Sequence, residues 1–153
     1  MKIRTIALTL ALCAVAAAVS FAQSPQMGTW KLNEAKSKYS PGATKNTTVV
    51  YEAAGDSVKV TTDGTTGDGQ PAHTEWTGKL DGKDYPVTGD PGADSRSYTV
   101  VNPHTSTFAN KKDGKVTITG KVVVSPDAKS RTVTVSGTQA GTKVTSTAVY
   151  DKQ

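Results

Sequence analysis

The chain has 153 residues, 18 Lys and Arg against 13 Asp and Glu, a formal charge of +5 and a single Cys. That size suits one domain, and one Cys cannot build a disulfide framework. The excess of positive charge is scattered: its closest approach to a patch, Lys111-Lys112, runs straight into Asp113, which excludes a nucleic-acid footprint.

Residues 1–22 read as a secretory signal peptide. Lys2 and Arg4 precede an apolar run from Thr5 to Val19, and Ser20-Phe21-Ala22 places small residues where a signal peptidase cleaves. The run is short for a membrane anchor, which needs roughly 20 residues. Leu12 stands before Cys13 where lipidation needs a small residue. Cleavage after Ala22 removes 22 of the 153 residues and leaves 131, Gln23 to Gln153. Lys2 and Arg4 leave too, so the charge falls from +5 to +3. Without Cys13 the mature chain has no thiol and no disulfide, so it must be held by packing and hydrogen bonds alone. The expected location is periplasmic or extracellular.

Met27 to Leu32 reads as the first strand. Asn33 then caps a single helical turn through Lys38, and Tyr39-Ser40-Pro41-Gly42 turns the chain. Thr44 to Ala53 is rich in β-branched residues. After Gly55-Asp56, Val58 and Val60 alternate with Lys59 and Thr61, the period of a half-buried strand. Asp63 to Gln70 is turn chemistry, and Pro71 opens a strand from Ala72 to Leu80.

Asp81-Gly82-Lys83 predicts a tight hairpin. Pro86 marks the short segment Asp84 to Thr88 as an edge or a bulge. After Gly89 to Asp94, strands follow at Arg96 to Val101, Thr105 to Lys111, Lys115 to Val124, Arg131 to Gly137 and Lys143 to Tyr150, each separated by a few turn residues.

About ten short strands on short connections predict an all-β antiparallel up-and-down meander. A meander of that length hides its edges by closing into a barrel of about 8–10 strands. A two-sheet β-sandwich is the alternative, although the Cys pair and Trp of immunoglobulin domains are absent. One β-barrel domain over residues 23–153 is therefore expected. A transmembrane barrel does not fit, because the outward positions carry Lys, Thr and Asp. The mature chain is expected to be a monomer with no membrane insertion.

Gly28-Thr29-Trp30, near the start of a secreted β meander, resembles the Gly-x-Trp of the lipocalins. The resemblance implies that Trp30 packs at the closed end of a barrel beneath a basic residue from a late strand, with Arg131 as the partner. This gives Gly28, Trp30 and Arg131 structural roles. The second lipocalin signature, Thr-Asp-Tyr before a late strand, is missing, and so are the lipocalin disulfides. Over most of the mature chain the sequence is similar to small exported bacterial proteins described as lipocalin-like or uncharacterised. The landmarks are Gly28 to Gly42, Trp76 to Pro91 and Val149 to Lys152. That likeness implies a fold and a compartment, and no activity.

Function turns on the barrel interior. About eight strands are just filled by their own side chains, and more leave room. Mostly Val inward positions then predict either a ligand cavity or a flattened, closed Val core. Trp76, Tyr85 and Tyr98 either line such a cavity or are the main core fillers, with Tyr85, beside Pro86 and near a long loop, placed at the mouth. His73, Glu75 and Arg96 form a polar cluster at the entrance if they converge. If Trp76 and Leu80 point inward, however, alternation turns His73 and Glu75 outward onto a solvated face.

His73 and His104 are the only histidines, so no zinc spacing exists. Asp81, Asp84, Asp90 and Asp94 offer oxygens of the kind Ca²⁺ takes, but each also suits a turn. Asn46-Thr47-Thr48 fits the glycosylation tripeptide. The expectation is a non-enzymatic protein with no catalytic residue, cofactor or metal. It would bind a small, partly apolar or aromatic molecule through Trp76, Tyr85, Arg96, Tyr98, His73 and Glu75. The alternative is a structural or protein-interaction module of the cell envelope.

Overall fold

The computed structural model describes residues 24–153, so the signal segment, its cleavage position and Cys13 lie outside the described residues. Polar turns return the chain antiparallel after each alternating run. The strands are β1 (Gly28–Leu32), β2 (Lys38–Tyr39), β3 (Lys45–Ala54), β4 (Ser57–Thr65), β5 (Pro71–Gly78), β6 (Tyr85–Thr88), β7 (Ser95–Asn102), β8 (Thr105–Lys112), β9 (Lys115–Val124), β10 (Ser130–Gln139) and β11 (Thr142–Lys152).

From β3 to β11 every strand pairs with the next, and β1 pairs with both β3 and β11. That last pairing, Trp30 opposite Lys152 and Leu32 opposite Tyr150, closes the sheet into a ten-stranded antiparallel barrel. It also rules out the sandwich, which would leave those edges open.

The remaining strand, β2, continues the line of β1 along β11, with Tyr39 opposite Ser146. Between the two, Asn33 caps the 3₁₀ turn Glu34–Lys36, its side chain accepting from Lys36 N at 3.3 Å. The Asn33 amide also donates to Asp151 at 2.8 Å, so the interruption stays fastened to β11.

The turn at Asp81-Gly82-Lys83 is not the tight hairpin that its residues predict. Residues 79–84 instead lie back over β7, with Asp81 bridging Thr99 and Gly82 N donating to Tyr98 O at 2.8 Å. Asp63 to Thr65 extend β4 rather than turning.

The two ends of the barrel differ in side-chain size. At one end the inward positions carry Trp30, Tyr51, Trp76, Tyr98 and Tyr150 with Val58, Val60, Val87 and Val124, and they pack into the main core. Ser24 to Met27 cross beneath this end, where Gln26 O accepts from the Trp30 indole at 2.9 Å. Gly28 takes a φ of +107°, a region that strains any side chain, and a Cβ there would touch the Lys152 side chain.

Candidate functional site

Toward the other end the inward residues shrink. Ala43, Ala72, Thr74, Ser146 and Ala148 stand where the closed end has rings, and Gly120 leaves a gap into which the Phe108 ring moves. Small groups inside a ten-stranded ring leave space. The result is a cavity of about 590 Å³, within the range of small-molecule sites.

Its mouth is made by the loops around Gly42, Gly67, Pro91 and Ala140. Gly67 sits so close to the Gly42 backbone that a Cβ would collide with it, so these two loops narrow the rim.

The floor is aromatic: Tyr51, Tyr98, Phe108 and Tyr150 line it. Tyr98 contacts Phe108 at 5.6 Å, Tyr51 at 6.3 Å and, beneath the floor, Trp76 at 4.7 Å between ring centroids. Burial pushes the Tyr51 phenol far above its ordinary range, with the Tyr98 phenol adding to the effect and Arg131 opposing it. Tyr150 is likewise raised, chiefly by burial, and its hydroxyl donates to Asn46 O at 2.9 Å. Both phenols therefore stay protonated at any physiological pH.

Two guanidinium groups reach the cavity, and they differ. Arg96, 7% exposed, donates from Nε to Asn110 Oδ1 at 2.7 Å and lies 3.5 Å from Asp90 Oδ2. Asn110 donates to the same Asp90 carboxylate at 3.2 Å, so this arginine is compensated. Arg131, 2% exposed, has no described carboxylate paired with it. Its Nε and Nη1 are buried without a hydrogen-bond partner. The guanidinium carbon lies 4.7 Å from the Trp30 ring, 4.9 Å from Tyr51 and 5.1 Å from Tyr150. The partnership with Trp30 is the one implied by the Gly-x-Trp resemblance; the opening of Arg131 onto a cavity is not.

Of the six residues expected to bind ligand, Arg96 and Tyr98 line the cavity and four do not. Trp76, 1% exposed, is below the floor, its indole donating to Arg96 O at 2.9 Å. Tyr85 is at the closed end rather than the mouth. It packs edge-on to Trp76 at 5.9 Å and donates to Asp81 at 3.0 Å, because residues 79–84 connect β5 to β6 at that end.

His73 and Glu75 point outward, as alternation requires once Trp76 points in. There His73 Nδ1 meets Asp63 at 2.5 Å, and Glu75 pairs with Lys59 at 3.2 Å. The hydrogen bond to Asp63 holds the His73 imidazole above its ordinary value. Folding thus favours the protonated ring. This contribution is complete below the unfolded-state value and is lost as pH rises through the raised one. An NMR titration of His73 is expected to give a midpoint above the free imidazole value, falling back in Asp63→Asn; an unchanged midpoint in that variant would exclude the pairing.

The four aspartates considered for calcium are dispersed. Asp81 binds Lys83 N and Tyr85, Asp84 binds Lys111, Asp90 binds Arg96 and Asn110, and Asp94 binds Asp113 N. Among the described residues no cluster of three or more His, Cys, Asp or Glu has metal-holding geometry.

Among the cavity residues that the sequence reading passes over are Tyr39, Tyr51, Phe108, Asn110 and Tyr150, and Asp90 was weighed only for calcium and for a turn. The clue to Asn110 was its place in the inward stripe Ser106, Phe108, Asn110, where a polar side chain needs a partner.

No protein-family model and no curated protein matches the chain. Among solved structures it is similar to a redesigned β-barrel, mFAP1, bound to DFHBI. The identity is 12% and the TM-score 0.48, covering 84% of this chain and 98% of that one. It is also similar to EF1p2_mFAP2b bound to DFHBI, at 12% identity and a TM-score of 0.44, covering 84% and 94% of the two chains.

Proposed function

We propose that this chain is an exported, lipocalin-like, non-enzymatic protein that takes one small, partly apolar molecule into the open end of its barrel. The observation that carries the reading is the cavity of about 590 Å³ between a packed aromatic floor and a loop-lined mouth. Val49, Val122, Val133, Val135 and Val144 give its walls an apolar face for the body of a ligand. The signal features of residues 1–22 support export.

Filling the cavity tests the reading. Ser146, on β11, faces the cavity opposite Tyr39. Phenylnaphthylamine, a neutral dye that brightens in apolar surroundings, is expected to bind the wild-type chain one to one. It should not bind Ser146→Trp, whose far-UV circular dichroism should remain that of a β-barrel. Dye uptake equal in the two proteins would sink the proposal.

A further inference from the structure

We propose that the preferred ligand is an amphiphilic organic monoanion, one acidic head on an apolar body, bound head-down with its charge on Arg131. The inference rests on the cavity-binding reading above and specifies the chemistry of its occupant.

Arg131 is the argument. A guanidinium keeps its charge inside a protein and presents five donors. Burying it without an opposite charge is costly, and buried cations are accordingly paired or solvated. Here the aromatic faces of Trp30, Tyr51 and Tyr150 surround the group, and Nε and Nη1 have no acceptor. Rings attract a cation but accept few hydrogen bonds. Arg131 is also among the residues that line the cavity. An oxyanion arriving there would supply the missing charge.

The neighbouring groups suit an oxyanion as well. Both arginines line the cavity and both act on the Tyr51 ring, so this floor carries a positive potential. The other cavity arginine is not the anchor, because Asp90 and Asn110 already hold it. One uncompensated cation implies one negative charge.

The depth of the site fixes the orientation. Arg131 begins β10 beside Tyr150, and Gln139 ends it at the mouth. At ~3.3 Å per residue and a tilt of ~40°, the head would lie roughly 20 Å below the rim. The apolar body would then run between the valines toward the loops. A carboxylate, a sulfonate or a phenolate meets the requirement alike.

A matched pair of dyes separates this proposal from the general one. Anilinonaphthalene sulfonate and phenylnaphthylamine share their rings and differ in the sulfonate. Fluorescence titration of the wild-type chain is expected to show the sulfonate binding at least about tenfold more tightly. Arg131→Met should abolish the preference while the neutral dye still binds. Ser146→Trp should exclude both dyes, which removes adsorption on the basic surface as an explanation.

If the neutral dye binds as tightly as the sulfonate, or the preference survives in Arg131→Met or Ser146→Trp, the monoanion proposal is overturned and the cavity reading stands. If neither dye enters the wild type, both fall. Should Arg131→Met not fold, the wild-type dye ratio together with Ser146→Trp decides.

Discussion

Trp76→Ala is expected to cost about 3–5 kcal/mol, the range for deleting a large buried aromatic. For a domain whose total stability is of order 5–15 kcal/mol, that is a fifth or more of what holds it folded. The size of the effect follows from where the ring lies. Trp76 is 1% exposed and joins the closed-end core to the cavity floor through edge contacts with Tyr85 and Tyr98. Its indole also donates to the Arg96 carbonyl at 2.9 Å, a buried hydrogen bond that the substitution removes. Small residues above the floor leave nothing bulky to collapse into the space. With a urea dependence of ~1–3 kcal/mol/M, the unfolding midpoint should fall by at least ~1 M, read by far-UV circular dichroism. A shift below ~0.5 M would mean that Trp76 is not part of the supporting core.

Which residues share a face was legible in the sequence; which face is inside, and how deep a side chain sits, was not. Alternation put Val58 and Val60 on one face, and it put Trp76 on the face opposite His73 and Glu75, but it left open which of those two faces is inside. Depth depends on which end of the barrel a turn belongs to, and that follows from closure and strand tilt, which no local pattern carries. Tyr85 shows the difference. Its neighbours suggested a mouth, yet the connection at residues 79–84 lies at the closed end, so Tyr85 supports the floor from below. Asp90 looked like a turn residue, and it is one, since Oδ1 accepts from Gly92 N at 2.9 Å. Its other oxygen serves Arg96 and Asn110, two residues from strands that only the closed sheet brings together. Long-range pairing of this kind is what a single sequence leaves out.

Arg131→Met is expected to stabilise the ligand-free protein, by about 1–3 kcal/mol, and this sign separates two roles for the residue. If Arg131 is mainly the structural pin beneath which Trp30 packs, its loss should destabilise the barrel. The physical terms favour the opposite result. Three desolvated cation–π contacts are worth up to ~2 kcal/mol each, and a methionine sulfur among the same rings recovers ~0.3–1.5 kcal/mol per contact. Against that difference stand the desolvation of an uncompensated ion, several kcal/mol, and unmade hydrogen bonds at Nε and Nη1, at ~1–3 kcal/mol for each buried group. Methionine removes both penalties at similar length.

Thermal unfolding without ligand should therefore shift upward by roughly 3–10 °C. Adding the sulfonate dye should reverse the ranking, raising the wild-type midpoint by mass action and leaving the variant where it was. A variant that melts lower, with or without dye, would assign Arg131 to the scaffold. One that melts higher and has lost its response to the anion would show stability exchanged for a binding charge, as expected where a residue is kept for what it binds.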